Sequence, residues 1–100
     1  MKIAIASEAE SLDSQVCPVF GRAPYYLFFE GEKLVKTIKN PFATGGGGAG
    51  FGVAQMLSNE GVELVVCGKL GGNAAGALEE KKIRHKAMQG ETIFSALEKI

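Results

Sequence analysis

The chain has 100 residues, of which 46% are apolar, with 11 basic and 11 acidic side chains and one histidine. That length is enough for one hydrophobic core and too short for two, so a single domain over 1–100 is expected. Balanced charge and ordinary apolar content exclude a disordered chain and argue against a dedicated nucleic-acid binder, which carries net basic charge.

Residues 2–7 read as a buried strand, with Ile3 and Ile5 facing one way and Ala4 and Ala6 the other. A strand apolar on both faces belongs at the centre of a sheet covered by helices. The same N-terminus is too short for a signal peptide, and no apolar run approaches membrane-spanning length. A cytoplasmic protein without membrane contact is expected, with Cys17 and Cys67 as reduced thiols rather than a disulfide. Residues 8–22 read as a long loop holding Glu8, Glu10, Asp13, Cys17 and Pro18. Loops of that length in a compact domain are often functional. Tyr25–Phe29 is an aromatic-rich strand, Glu30-Gly31-Glu32 a tight turn, and Leu34–Ile38 the returning strand of a hairpin.

After the loop signal Asn40-Pro41 comes Thr44-Gly45-Gly46-Gly47-Gly48-Ala49-Gly50-Phe51-Gly52, in which six of nine residues are glycine. Glycines ahead of a helix expose backbone N–H groups and can build an anion cradle; a flexible linker is the alternative. The literal G-x-G-x-x-G match is weak, because a glycine run fits almost any glycine motif and a Pro-containing loop separates it from the preceding strand. A P-loop would need Gly-Lys-Ser/Thr at its end, which is missing.

A helix follows at about 50–59, with Ala49, Val53, Met56 and Leu57 on one face and Gly61 ending it. Leu64–Cys67 is a short buried strand, parallel to the first. Gly68–Asn73 is a second glycine-containing loop, with Asn73 as N-cap of a helix Ala74–Lys81. The basic run Lys81–Lys86 reads as a solvated helix end and an edge strand, with residues 83–87 as that strand. A last helix, 91–99, turns Ile93, Leu97 and Ile100 inward. The element order is βββαβαβα.

If strands one, four and five run parallel, strand two returns antiparallel beside strand one. The loops at 8–22, 40–49, 68–73 and 88–90 then leave one edge of the sheet. Ligands of open α/β sheets bind beyond the carboxyl ends of the parallel strands. Cys17, Arg22, the glycine stretch and the Gly68–Asn73 loop would converge there.

Three segments carry a family resemblance: Phe20-Gly21-Arg22-Ala23-Pro24 ahead of the aromatic strand, Asn40-Pro41 leading into the glycine run, and Gly68-x-x-Gly-x-Asn-Ala after the fourth strand. With the element order, they resemble the dinitrogenase iron-molybdenum cofactor biosynthesis family, the NifX-like proteins, over essentially the whole chain. The resemblance implies a ribonuclease H-like α/β fold, with a mixed five-stranded sheet in the order 3-2-1-4-5 and three helices. It also implies a role in binding, carrying or inserting iron-, sulfur- and sometimes molybdenum-containing clusters. Relatives often have histidine where this chain has Val19, an attractive cluster ligand, and often proline at Gly72.

Cofactor-binding candidates are Cys17, Arg22, Gly45, Gly46, Gly47, Gly48, Lys69 and Asn73. Cys17 is the candidate metal ligand: a loop thiol near Arg22 would ionise more easily, and thiolates suit iron–sulfur clusters and copper(I). An incidental loop thiol is the alternative. Cys67, at the end of an apolar strand, packs as a small hydrophobe. Two cysteines cannot supply the usual four thiolates of an iron–sulfur cluster. A dimer, other ligands or a preassembled cluster would be needed. Arg22 would pair with an anionic cluster or brace the long loop; Lys69 is a similar, weaker case, and His85 is a solvent-exposed edge residue.

Two-metal nuclease chemistry needs strand-borne carboxylates; the one aspartate is Asp13, in a loop. No Ser/His/Asp arrangement is present. A non-enzymatic carrier of an iron–sulfur or iron–molybdenum type metallocluster is expected, a monomer or weak homodimer, with cluster donor and acceptor proteins as partners. The alternatives are a small-anion or phosphate-binding module without metal, and a protein-interaction module using the hairpin edge.

Overall fold

The computed structural model describes residues 1–44 and 48–100. The elements are β1 (Lys2–Ser7), β2 (Tyr25–Glu30), β3 (Lys33–Lys39), α1 (Ala49–Asn59), β4 (Leu64–Cys67), α2 (Gly72–Glu80), β5 (Arg84–Ala87) and α3 (Ile93–Glu98). The strands form one mixed sheet in the order β3-β2-β1-β4-β5. As the connectivity demanded, β2 is antiparallel to β1 and β3, while β1, β4 and β5 are parallel. The anticipated α/β, ribonuclease H-like order is the one found.

The alternation in β1 sorts the core into two halves. Ala4 and Ala6 join Tyr26, Phe28, Val65 and Cys67 on the face covered by α1 and α2, through Val53, Ala54, Leu57, Ala77 and Leu78. Ile3 and Ile5 join Leu27, Phe29, Leu64 and Val66 on the opposite face, under Ile93 and Ala96 of α3. Small Ala4 and Ala6 on β1 lie in the same half as the Tyr26 and Phe28 rings of β2. Each fully buried large side chain removes enough apolar surface from water to contribute roughly 1.5–3 kcal/mol.

Strand β3 is an edge, exposed except at half-buried Ile38. A register shift opposite Phe28 and Phe29 leaves Val35 without a partner on β2. That bulge and the lysines at 33, 36 and 39 blunt the edge against further pairing.

Four details differ from the sequence expectation. The segment 8–22 is no free loop: Val16 bridges Ser7, Gln15 bridges Thr92 and Val19 bridges Lys69. Helix α2 starts at Gly72 with extended Gly71 as N-cap, and no side chain caps it. Asn73 therefore falls inside the first turn and is not the N-cap, because the chain enters helical geometry two residues sooner. Helix α3 is shorter, Ile93–Glu98, with the Thr92 side chain accepting a hydrogen bond from the Ser95 N–H at 3.1 Å. It stops before Ile100, which is 41% exposed, and Ala96 is buried in the core instead. Gly61 ends α1 with φ of 77°, as expected. Among the described residues no helix is long and apolar enough to cross a membrane.

Candidate functional site

Beyond the carboxyl ends of β1 and β4 lies an open cleft of about 300 Å³. Three segments form its walls: Val19–Arg22 of the pinned segment, Ala49 and Gly50 at the start of α1, and Lys69 with residues 71–74 at the start of α2. Their close approach needs glycine. A Cβ on Gly21 would stand 3.2 Å from that of Ala49, and one on Gly50 would stand 3.1 Å from that of Ala74. The two helix N-termini consequently meet side by side at the cleft.

Neither helix start carries a side-chain cap or an acidic residue in its first turn. The first-turn N–H groups of a helix have no partner within it, and the helix dipole adds partial positive charge there. Gly48 allows this at α1, since it caps with φ of 85°. Arg22 and Lys69 bring two full cations to the same walls. The Arg22 Nη1 donates to the Phe42 carbonyl at 3.1 Å. Lys69 is held by its backbone, donating to the Pro18 carbonyl at 2.7 Å and accepting from the Phe20 N–H at 3.2 Å. Paired helix N-termini with two cations in the same walls attract an anion.

The structure thus brings together Arg22, Lys69 and Asn73, with Gly48 at the margin. Gly45, Gly46 and Gly47, and any mobility expected of them, lie outside the described residues. Cys17 is not among the residues lining the cleft. It is 4% exposed, in the same core half as Cys67 and Tyr26. Its thiol donates to the Val19 carbonyl at 3.5 Å. Burial, followed by a hydrogen bond with Glu8, pushes it up to about 11 from an ordinary 9.0. The expected thiolate is therefore corrected: the ionisable group that perturbs this thiol is the Glu8 carboxylate rather than the Arg22 guanidinium, and the thiol is neutral near pH 7. Cys67, also a free thiol, is raised to about 11 by burial and then by Cys17.

Cleft volume alone does not single out this site. A cleft of about 350 Å³ lies beside β5, lined among others by Glu79, Lys82, Arg84 and His85. Arg84 and His85 are exposed on edge strand β5 and Lys82 in the turn before it, and no helix N-terminus lines that cleft. Sequence reading missed Asn40 and Tyr26 as supports of the site. Tyr26 donates from its hydroxyl to the Phe20 carbonyl, behind the cleft wall. An aromatic run marks Tyr26 for the core and hides that role. Asn40 carried a signal only as the first residue of Asn-Pro.

The family model described as dinitrogenase iron-molybdenum cofactor matches residues 1–100. No curated protein matches at a significant level. Among solved structures, the apo form of the orange protein from Desulfovibrio gigas is 28% identical, over 98% of this chain and 84% of that one, with a TM-score of 0.91. The NMR structure of a Thermotoga protein named after NifB and placed in the DUF35 family is 27% identical, over 97% of this chain and 84% of that one, with a TM-score of 0.82. With the family model matching residues 1–100, the chain belongs to the dinitrogenase iron-molybdenum cofactor family.

Proposed function

We propose that this single domain is a non-enzymatic carrier for an anionic metallocluster of iron–sulfur or iron–molybdenum type, acting in cluster assembly or transfer. The observation that carries the reading is the meeting of two uncapped helix N-termini with Arg22 and Lys69 at one cleft. Family membership supports metallocluster handling. Among the described residues no group of three or more His, Cys, Asp or Glu could hold a metal ion. The cargo then arrives preassembled with its own sulfide, and the chain supplies N–H donors and positive charge. Arg22, Lys69, Gly48 and the first turn at Asn73 make the contacts. Val19, 49% exposed in the cleft wall, offers apolar surface where relatives often offer imidazole. Cys17 is a ligand in this reading only if its segment opens. Donor and acceptor proteins in the cytoplasm are the partners.

The test is anaerobic incubation with a preassembled iron–molybdenum–sulfur cluster, followed by desalting, metal analysis and a visible spectrum. Wild type should retain stoichiometric iron or molybdenum with a charge-transfer band. Arg22→Ala/Lys69→Ala should lose it, while Cys17→Ser should keep it. Retention by the double variant would sink the cradle; loss in Cys17→Ser alone would restore thiolate ligation. The same cradle also supports a second reading, a metal-free phosphate site. Phosphate-dependent thermal stabilisation by mass action, with no metal uptake, would favour that one.

A further inference from the structure

Asn40 is 4% exposed and is one of two buried polar side chains among the described residues. It stands just after β3, and its amide spans a gap between two cleft-forming segments. The Nδ2 group donates to the Gly21 carbonyl at 3.1 Å and to the Ala23 carbonyl at 2.9 Å. These are the peptide oxygens of the residues on either side of Arg22. The Oδ1 atom accepts from the Phe42 N–H at 2.9 Å. The Phe42 carbonyl in turn accepts from Arg22 Nη1 at 3.1 Å. A closed circuit results, in which one amide grips the Arg22 backbone on both sides and positions the carbonyl that receives its guanidinium.

We infer that Asn40 is a positioning residue that presets Arg22 at the anion cleft through this circuit. The inference rests on the carrier reading above for the identity of the cleft. Only an amide has the needed inventory of two donors and one acceptor in that shape. Aspartate has the same shape, but an ionised carboxylate cannot donate and would face two carbonyl oxygens. Serine supplies at most one donor. An arginine already held in place loses less conformational freedom on binding an anion, which is how preorganisation raises affinity. A buried amide that served only to satisfy the loop would not act through Arg22, and that difference is measurable.

The chain has two arginines, Arg22 and Arg84, so their guanidinium signals in ¹⁵N–¹H NMR are assigned by Arg84→Lys. In wild type the Arg22 signals should show restricted rotation. In Asn40→Ser and Asn40→Asp they should average, while Arg84 and the amides of β1 and β4 stay unchanged. Unchanged Arg22 signals in either folded variant would overturn the inference. Loss of the sheet amide pattern in both variants would make Asn40 a purely structural residue and overturn it equally. A second arm titrates molybdate into wild type, Asn40→Ser, Arg22→Ala and the double variant. Each single change should weaken binding roughly tenfold, a common size for coupled neighbours, and the double variant should bind no more weakly than Arg22→Ala. Additive losses overturn the circuit. Wild-type affinity in Arg22→Ala, or no molybdate binding in wild type, defeats the cleft reading instead, and the NMR arm then decides the positioning of Arg22 by itself.

Discussion

At Cys17 and Cys67 the fold sets proton affinity against function as a free thiolate. Both thiols lie in one core half, and both are raised from 9.0 to about 11, chiefly by burial. The folded state holds these protons more tightly than the unfolded chain does. The stability contributed is therefore complete below pH 9 and lost as pH rises from about 9 to about 11. A two-unit shift corresponds to an upper bound on the order of 2–3 kcal/mol for each thiol. The two are not additive, since Cys17 contributes to the shift of Cys67. Burial pushes Tyr26 up as well, in the same sense. Urea unfolding under reductant should show a fall in stability between pH 8 and pH 10.5, on the order of 2 kcal/mol. Cys17→Ser should flatten that fall; an identical slope in wild type and variant would mean that burial does not hold this thiol neutral.

At the scale of the element, the start of α2 shows stability and binding drawing on the same atoms. Gly72 is the first helical residue, after an extended Gly71 with φ of −78° and ψ of 164°. Proline is favoured at that helical position and requires an extended residue before it, which Gly71 already is. A Cβ on Gly72 would meet nothing within 4 Å. Gly72→Pro should therefore stabilise the chain by about 0.5–1 kcal/mol, mainly by restricting the unfolded state. It also removes one first-turn N–H beside the cleft. Thermal unfolding and anion titration on the same variant should move in opposite directions, with a higher melting temperature and a severalfold weaker affinity. A gain in both would show that this N–H does not face the ligand.

Across the whole molecule, charge cancels in sum and is sorted by place. Arg22 and Lys69 line the cleft, and lysines line the β3 edge. Lys36 on that edge also pairs with Glu60 just past α1 at 3.0 Å. The bulge at Val35 and the lysines leave β3 poorly matched to a second β3. Sedimentation without ligand should accordingly give a monomer across the micromolar range. A concentration-dependent dimer, abolished by Val35→Lys, would show that the edge is an interface after all.

The fold was largely legible because its signals are local. Period-two alternation in Lys2–Ser7, the aromatic run after Ala23-Pro24, Gly31 at the hairpin and Gly61 after α1 each state an element without reference to distant residues. The element order and the resemblance then led to the strand order. The convergence of Arg22, Lys69 and Asn73 also followed, since parallel strands send their loops to one edge. What lay beyond reach depends on which side chain meets which across the chain. A polar segment holding Cys17 and Arg22 reads as a reactive loop; Val16 and Val19, by bridging to Ser7 and Lys69, fold the thiol inward between them. Asn40 reads as a turn former, and only the packing of residues 21–23 against 40–42 turns it into a clamp. Sequence determines where the backbone can be helix, strand or turn, because those choices are made within a few residues. Protonation state, helix-end exposure and the set of groups facing the cleft are decided by burial and contact between residues far apart in the chain, and only the tertiary structure brings those together.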